Sequence, residues 1–188
     1  RPDGTVAFTR ASGGPPDLFP NGIALLPDRS YLIANLGPSG GVFRLLRDGT
    51  TIPVLTELEG KPLPPTNFVA IDRAGRTWVT VSTRVVPRER AARKGHADGF
   101  VVVIDDRGPR IVADGIGYTN EALVDPTGHW LYVNETMGRR TSRYAIGPDG
   151  SLSGREVFAE YGAATFPDGM AFDADGNLSS VGGKATSA

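Results

Sequence analysis

An all-β architecture assembled from repeated blades is predicted by three observations on this 188-residue sequence. Four segments resemble one another, strand-like stretches follow each of them in a fixed order, and helical periodicity is nearly absent. The segments read Phe19-Pro-Asn-Gly-Ile-Ala-Leu-Leu-Pro-Asp, Pro65-Thr-Asn-Phe-Val-Ala-Ile-Asp, Tyr118-Thr-Asn-Glu-Ala-Leu-Val-Asp-Pro and Phe166-Pro-Asp-Gly-Met-Ala-Phe-Asp. Their anchors Asn21, Asn67, Asn120 and Asp168 are spaced by 46, 53 and 48 residues. A period near 40–50 with strand character is the signature of β-propeller blades.

Each anchor segment supplies the first strand of a blade. Eight residues after the anchor stands a turn position, occupied by Arg29, Gly75, Gly128 and Gly176. Second strands follow in the first three copies as Tyr31-Leu-Ile-Ala, Thr77-Trp-Val-Thr and Trp130-Leu-Tyr-Val. Third strands start at Gly41, Gly99 and Thr141, and Asp-Gly, Arg-Gly and Pro-Asp-Gly turns close them. Fourth strands start at Thr51, Arg110 and Arg155. Four short antiparallel strands per repeat make a propeller blade. The best helical candidate, residues 87–94, lacks an apolar stripe and reads as a loop or a single turn. The whole chain is therefore one partial propeller domain, residues 1–188. It divides into a blade remnant at 1–18, blades at about 19–64, 65–117 and 118–165, and a partial blade at 166–188. About three and a half blades fall below the four that a closed ring needs, so the chain reads as a fragment.

Composition narrows the function. With 20 basic and 21 acidic residues the charge is balanced, which leaves no electrostatic footprint for nucleic acid or an anionic membrane. No apolar run approaches the roughly 20 residues of a membrane span. The 25 glycines and 15 prolines are scattered, as regular turns between short strands require. There is no cysteine, which excludes disulfides, thiolate catalysis and thiolate metal sites. It also slightly favours the cytoplasm, although a chain that begins at Arg1 leaves a preceding leader, and the compartment, open. The two histidines, His96 and His129, are isolated, so any metal is held by oxygen.

The repeats resemble the family of senescence marker protein, gluconolactonase and luciferin-regenerating enzyme, over residues from about 15 to 178. The resemblance is carried by Tyr118-Thr-Asn-Glu with Gly128-His-Trp-Leu-Tyr-Val-Asn-Glu-Thr, then by Arg155-Glu-Val-Phe and Phe166-Pro-Asp-Gly-Met-Ala-Phe-Asp-Ala-Asp-Gly. It implies a six-bladed propeller that hydrolyses a small-molecule lactone with one divalent cation in its central tunnel. By position, Asn120 and Asp168 match two of the family's metal ligands, and Asn67 matches an Asn that places metal or substrate. A third ligand, a Glu from an early blade, has no counterpart here. The family usually has Gly where this chain has Glu121. The segment from Leu178 is small and polar where a blade strand would be apolar.

The residue types suit that chemistry. In a propeller the innermost strands line the axis, so one short polar residue per blade converges there. Asn and Asp offer oxygen on short side chains, which suits Ca²⁺ first, with Mg²⁺, Mn²⁺ and Zn²⁺ behind. A cation polarises the lactone carbonyl, Asp168 serves as general base toward water, and Asn67 orients substrate. Two rival readings stay open at this point: a non-enzymatic propeller that binds a small ligand or protein partner, and an inactive fragment of the hydrolase. Oligomeric state is not encoded in any of these features.

The remaining polar residues carry structural expectations. Asn21 belongs to a Pro-Asn-Gly turn, and Asp72, Asp125 and Asp173 recur five residues after their anchors as turn residues. Glu121 is expected to point away from the metal or to act from behind its ligands, and Glu135 to end a strand. Residues 84–96, with five basic side chains and one acid, read as a solvated loop or as a basic flap that attracts an anion. Trp78 and Trp130 are expected in the core or between blades, and both histidines at the surface.

Overall fold

The computed structural model describes residue 4 and residues 10–184. The strand-like run expected at 4–9 lies, apart from Gly4, outside the described residues. Sixteen strands are described, β1 (Pro20–Leu25), β2 (Tyr31–Asn35), β3 (Val42–Leu45), β4 (Thr51–Leu55), β5 (Glu57–Leu58), β6 (Lys61–Pro62), β7 (Thr66–Ile71) and β8 (Thr77–Val81) among them. They continue as β9 (Gly99–Asp105), β10 (Gly108–Ile116), β11 (Thr119–Val124), β12 (Trp130–Glu135), β13 (Arg140–Ile146), β14 (Leu152–Glu160), β15 (Thr165–Phe172) and β16 (Leu178–Lys184). One 3₁₀ turn, Arg88–Ala91, occupies the segment expected to be a loop or single turn.

Three antiparallel four-stranded meanders follow in chain order: β1-β2-β3-β4, β7-β8-β9-β10 and β11-β12-β13-β14. The pair β15-β16 begins a fourth sheet, and β5-β6 is a small hairpin after the first. Its two-residue turn, Glu59-Gly60, has φ of 52° and 74°. Those are the positive values that a tight hairpin matched to right-handed strand twist demands. The small, polar segment from Leu178 forms β16, since its ladder with β15 runs from Phe172↔Leu178 to Thr165↔Lys184 and needs only backbone groups.

Strand alternation explains how the sheets stack. Along β9, Phe100 and Val102 pack toward the first sheet with Leu32, Val42, Leu55, Val69, Val79 and Val81. Val101 and Val103 pack toward the third with Trp78, Ile116, Ala122, Leu131, Val133 and Tyr144. A middle sheet buried on both faces needs a continuous apolar strand, which is what residues 100–104 provide. Trp78 is 1% exposed and donates its indole N–H to Asp72 at 3.0 Å, so it packs between sheets as expected.

Trp130 differs from the expectation. It is half-buried, with the Arg143 guanidinium 4.3 Å over its ring. Its face of β12 looks toward the fourth sheet, where two strands supply only a partial cover; Tyr132, on the same face, meets Phe158 and Phe172 edge-on. On the other side of the molecule Ile23, Leu25, Tyr31, Ile52 and Val54 stay exposed on the first sheet.

The acidic residues five positions after the anchors hold turns, as predicted. Asp72 accepts the Ala74 and Arg76 N–H groups at 2.9 Å each. Asp125 accepts those of His129 and Trp130, and Asp173 those of Asp175 and Asn177. Such caps supply partners that short turns lack in the backbone alone.

Candidate functional site

The first strands of the successive sheets lie side by side, β1 against β7, β7 against β11 and β11 against β15. In each of them the ladder with the second strand slips at the anchor. The register breaks between Pro20 and Ile23, Thr66 and Phe68, Thr119 and Ala122, and Pro167 and Met170. Bulges at these places release the anchors from sheet pairing and re-aim their side chains. Close packing of the strands requires glycine at one point. A Cβ on Gly22 would stand 2.6 Å from Phe68 Cα.

Asn120 and Asp168 come together on one cavity of about 260 Å³, which Asn21, Gly22, Phe68, Glu121 and Val181 also line. Asn120 is 8% exposed. Its amide nitrogen donates to Thr136 Oγ1 at 3.0 Å, and that hydroxyl donates to Pro167 O at 2.9 Å. Holding the nitrogen leaves Oδ1 as the atom available to a ligand. Asp168 is exposed, and its backbone carbonyl is fixed by Asn134 Nδ2 at 2.9 Å. Its carboxylate takes no hydrogen bond from the described residues.

Asn67 sits behind this cavity, with its neighbour Phe68 on the wall. It is 3% exposed, accepts from Asn21 Nδ2 at 3.2 Å and donates to Ser82 Oγ at 3.0 Å. Ser82 in turn donates to Thr119 O at 2.9 Å. Asn67 therefore ties three inner strands together, while an amide's second N–H and second lone pair stay available. Asn21, expected in a Pro-Asn-Gly turn, lies instead within β1 at its bulge, where it bonds Asn67 and borders the cavity.

Glu121 does not point away from the cavity, one of the two placements expected of it. It lines the cavity beside Asn120, and its Oε2 accepts the Met170 N–H at 2.7 Å. Burial raises its pKa, opposed by that hydrogen bond and reinforced by the charge of Asp168. The reason is the bulge: regular alternation would place residues 120 and 121 on opposite faces, and the slipped register brings both to the same opening.

Sequence reasoning also missed the polar ends of the second strands. Asn35, Ser82 and Asn134 follow their anchors by 14, 15 and 14 residues, a recurrence that was readable. Asn35 and Asn134 organise neighbouring backbone, and Ser82 bridges Asn67 to β11. Glu135, which ends β12 as expected, is fully buried. It is held by Arg140, Arg155, Ser142 and the Gly117 N–H, so it serves the fold and not this cavity. His129 is exposed as expected, and His96 is half-buried, Nε2 standing 3.0 Å from Asp98 Oδ1 but too poorly aligned for a hydrogen bond. A cavity of about 700 Å³ opens at the opposite ends of the inner strands. Its three carboxylates, Asp72, Asp125 and Asp173, are committed to their turns, so it offers no donor set.

Among the described residues no three His, Asp or Glu side chains gather as a complete metal site. The donors that converge on the smaller cavity, an amide oxygen and two carboxylates, are all oxygen, and no basic side chain lines it. Two carboxylates without a protein counter-charge fit part of the shell of a hard cation.

Residues 9–185 match the family described as the SMP-30/Gluconolactonase/LRE-like region. No curated protein matches the sequence. Among solved structures, a gluconolactonase from Xanthomonas campestris is 25% identical, with a TM-score of 0.72 over 87% of this chain and 56% of its own. Regucalcin, a calcium-binding protein from Agrobacterium tumefaciens, is 22% identical with a TM-score of 0.66, over 87% and 53%. A luciferin-regenerating enzyme is 17% identical with a TM-score of 0.63, over 87% and 55%. The chain thus spans a little over half the length of these three solved structures. It is a propeller-like all-β protein, and it belongs to the SMP-30/gluconolactonase/LRE-like family.

Proposed function

We propose that the chain carries part of the active site of a six-bladed lactone hydrolase that works with one divalent cation. The observation that carries this reading is the convergence of Asn120 Oδ1 and the Asp168 carboxylate on a cavity without a basic residue. Asn120 and Asp168 would hold the cation, Ca²⁺ first, with Mg²⁺, Mn²⁺ and Zn²⁺ as alternatives. Bound there, it would supply Lewis acidity to the ester carbonyl and a lowered pKa to water.

The chain's own residues do the rest. Asp168, exposed and without a hydrogen-bond donor on its carboxylate among the described residues, accepts a proton from the attacking water. The water oxygen bonds to the ring carbonyl carbon, the ring C–O bond breaks, the leaving ring oxygen takes the proton from Asp168, and a hydroxy acid leaves with the carboxylate restored. Asn67, buried behind the wall, orients the substrate through the cavity residues it fixes, Asn21 by hydrogen bond and Phe68 as its chain neighbour. Asn120 stays rigid because Thr136 holds its nitrogen. The similarity to gluconolactonase supports the lactone as substrate class.

The test is substitution of Asp168 by Ala with lactone opening followed by proton release. Loss of at least 100-fold in turnover is expected, since general base catalysis contributes about 10²–10⁴-fold. Near-normal turnover would overturn the assignment.

A further inference from the structure

A second cavity, of about 470 Å³, shares no lining residue with the first. It lies between the β8–β9 connection and the β12–β13 turn. Apart from Arg90, which is exposed and off the cavity wall, the basic side chains of the connection divide into two groups. Arg84 is bound by both Asp114 oxygens at 2.8 Å, Arg88 donates to the Tyr118 hydroxyl at 3.1 Å, and Arg93 donates to Arg90 O at 2.8 Å. Lys94 and His96 are left on the cavity wall, His96 with the Asp98 carboxylate 3.0 Å from its Nε2.

Arg139 and Arg140 face them from the turn. Arg140 is committed to the buried Glu135 at 2.9 Å. Arg139 lies on the face of Phe166, its guanidinium carbon 5.1 Å from the ring centroid, and has no carboxylate partner among the described residues. Lys94 has none among them either, and Glu160 is the one acid in the lining. Concave walls of one sign concentrate the opposite charge. A guanidinium stacked on a ring keeps its planar fork of donors free for an oxyanion.

The cavity is within the size range of small-molecule sites and too large for a simple ion. The remaining wall mixes small and apolar residues, Met137 and Ala163 among them, with two acceptors for hydroxyl groups, the Glu160 carboxylate and the lone pairs of the Tyr161 hydroxyl. The same wall connects to the first site. The Tyr161 hydroxyl lies 2.8 Å from Thr141 Oγ1, Thr141 donates to Asn134 Oδ1 at 2.6 Å, and Asn134 holds the Asp168 carbonyl.

We propose that this second cavity binds a small hydroxycarboxylic acid, with Lys94 and Arg139 on its carboxylate and Tyr161 and Glu160 beside its hydroxyl groups. Ring opening of a lactone yields such an acid, but the inference stands on the charges of this cavity and not on the lactone reading.

Sodium gluconate titrated into the protein in the presence of EDTA, followed by calorimetry, tests it. EDTA removes any contribution from a cation at Asn120 and Asp168. Binding that weakens with added salt is expected, reduced at least tenfold in R139Q and severalfold in K94Q, and unchanged in D168N. Lys94 is exposed, so K94Q reports on the site even if R139Q does not fold. No binding of gluconate, equal binding by wild type and both charge variants, loss of binding in D168N, or binding of inorganic phosphate without gluconate would each overturn the proposal. D168N separates the two readings, because it removes turnover while leaving this site intact.

Discussion

Replacing Glu135 by Gln tests how the third sheet is fastened to the connection before it. The Glu135 side chain has no exposed surface. Its oxygens accept from Arg140 Nε at 2.9 Å and Nη2 at 3.1 Å, from Arg155 Nη2 at 2.7 Å, from Ser142 Oγ at 2.5 Å and from the Gly117 N–H at 3.0 Å. Glutamine keeps the shape but removes the charge and turns an NH₂ toward donors. Breaking a buried pair costs about 3–5 kcal/mol. Arg140 and Arg155 are 33% and 31% exposed and regain water, so about 3 kcal/mol is the expected loss. For a chain of this length that lowers the melting temperature by about 6–12 °C.

The loss also has a pH signature. Burial alone would raise the Glu135 pKa, but hydrogen bonds from Arg140, Ser142, Arg155 and Gly117 outweigh it and hold the carboxyl below its ordinary value. A depressed carboxylate pKa contributes stability above the unfolded value, about 4.3, and loses it as pH falls through the folded value. Urea unfolding of wild type and variant should therefore show a constant gap from pH 5 upward that closes below about pH 4. A gap under about 0.5 kcal/mol at pH 7, or one that persists undiminished in acid, would refute the reasoning.

Three other outcomes follow from the same geometry. G22A should destabilise by about 1–3 kcal/mol, measured by urea unfolding, because its Cβ would press on the Phe68 backbone at 2.6 Å. V102A, at a fully buried position of the middle sheet, should cost about 2 kcal/mol from lost burial and the cavity left behind. Y144F should be neutral or stabilising by about 1 kcal/mol, since the buried Tyr144 hydroxyl has no partner among the described residues. Thermal unfolding checks that last prediction, and a loss above 1 kcal/mol would show that the hydroxyl is satisfied.

The blades were legible because each must bury its own faces, so strand spacing, turn residues and anchors recur together. Residues 100–104 announce a doubly buried strand, and the turn aspartates declare themselves by position. Glu121 was not legible, because a bulge at residues 119–122 breaks the alternation from which facing is inferred. The Glu135 cluster was hidden for another reason: Arg155 lies 20 residues away and meets it only across the third sheet. Trp130 misled because strand position indicates which face a side chain takes, and not how much covers that face. The basic segment 84–96 was visible as charge, but only folded contacts separate Arg84 and Arg88, already bonded, from Lys94 and His96 on the cavity wall.

Calcium titration with thermal unfolding and δ-gluconolactone opening read in the same samples tests the central claim that Asn120 and Asp168 hold a cation. At a calcium concentration 100 times the dissociation constant, linkage adds about 2.7 kcal/mol, or about 5–11 °C in melting temperature. The account predicts that rise in the wild-type protein and its loss in D168A and N120A, with lactone opening following the bound fraction. A melting temperature indifferent to calcium and to the other divalent cations, or an equal rise in both variants, would contradict it.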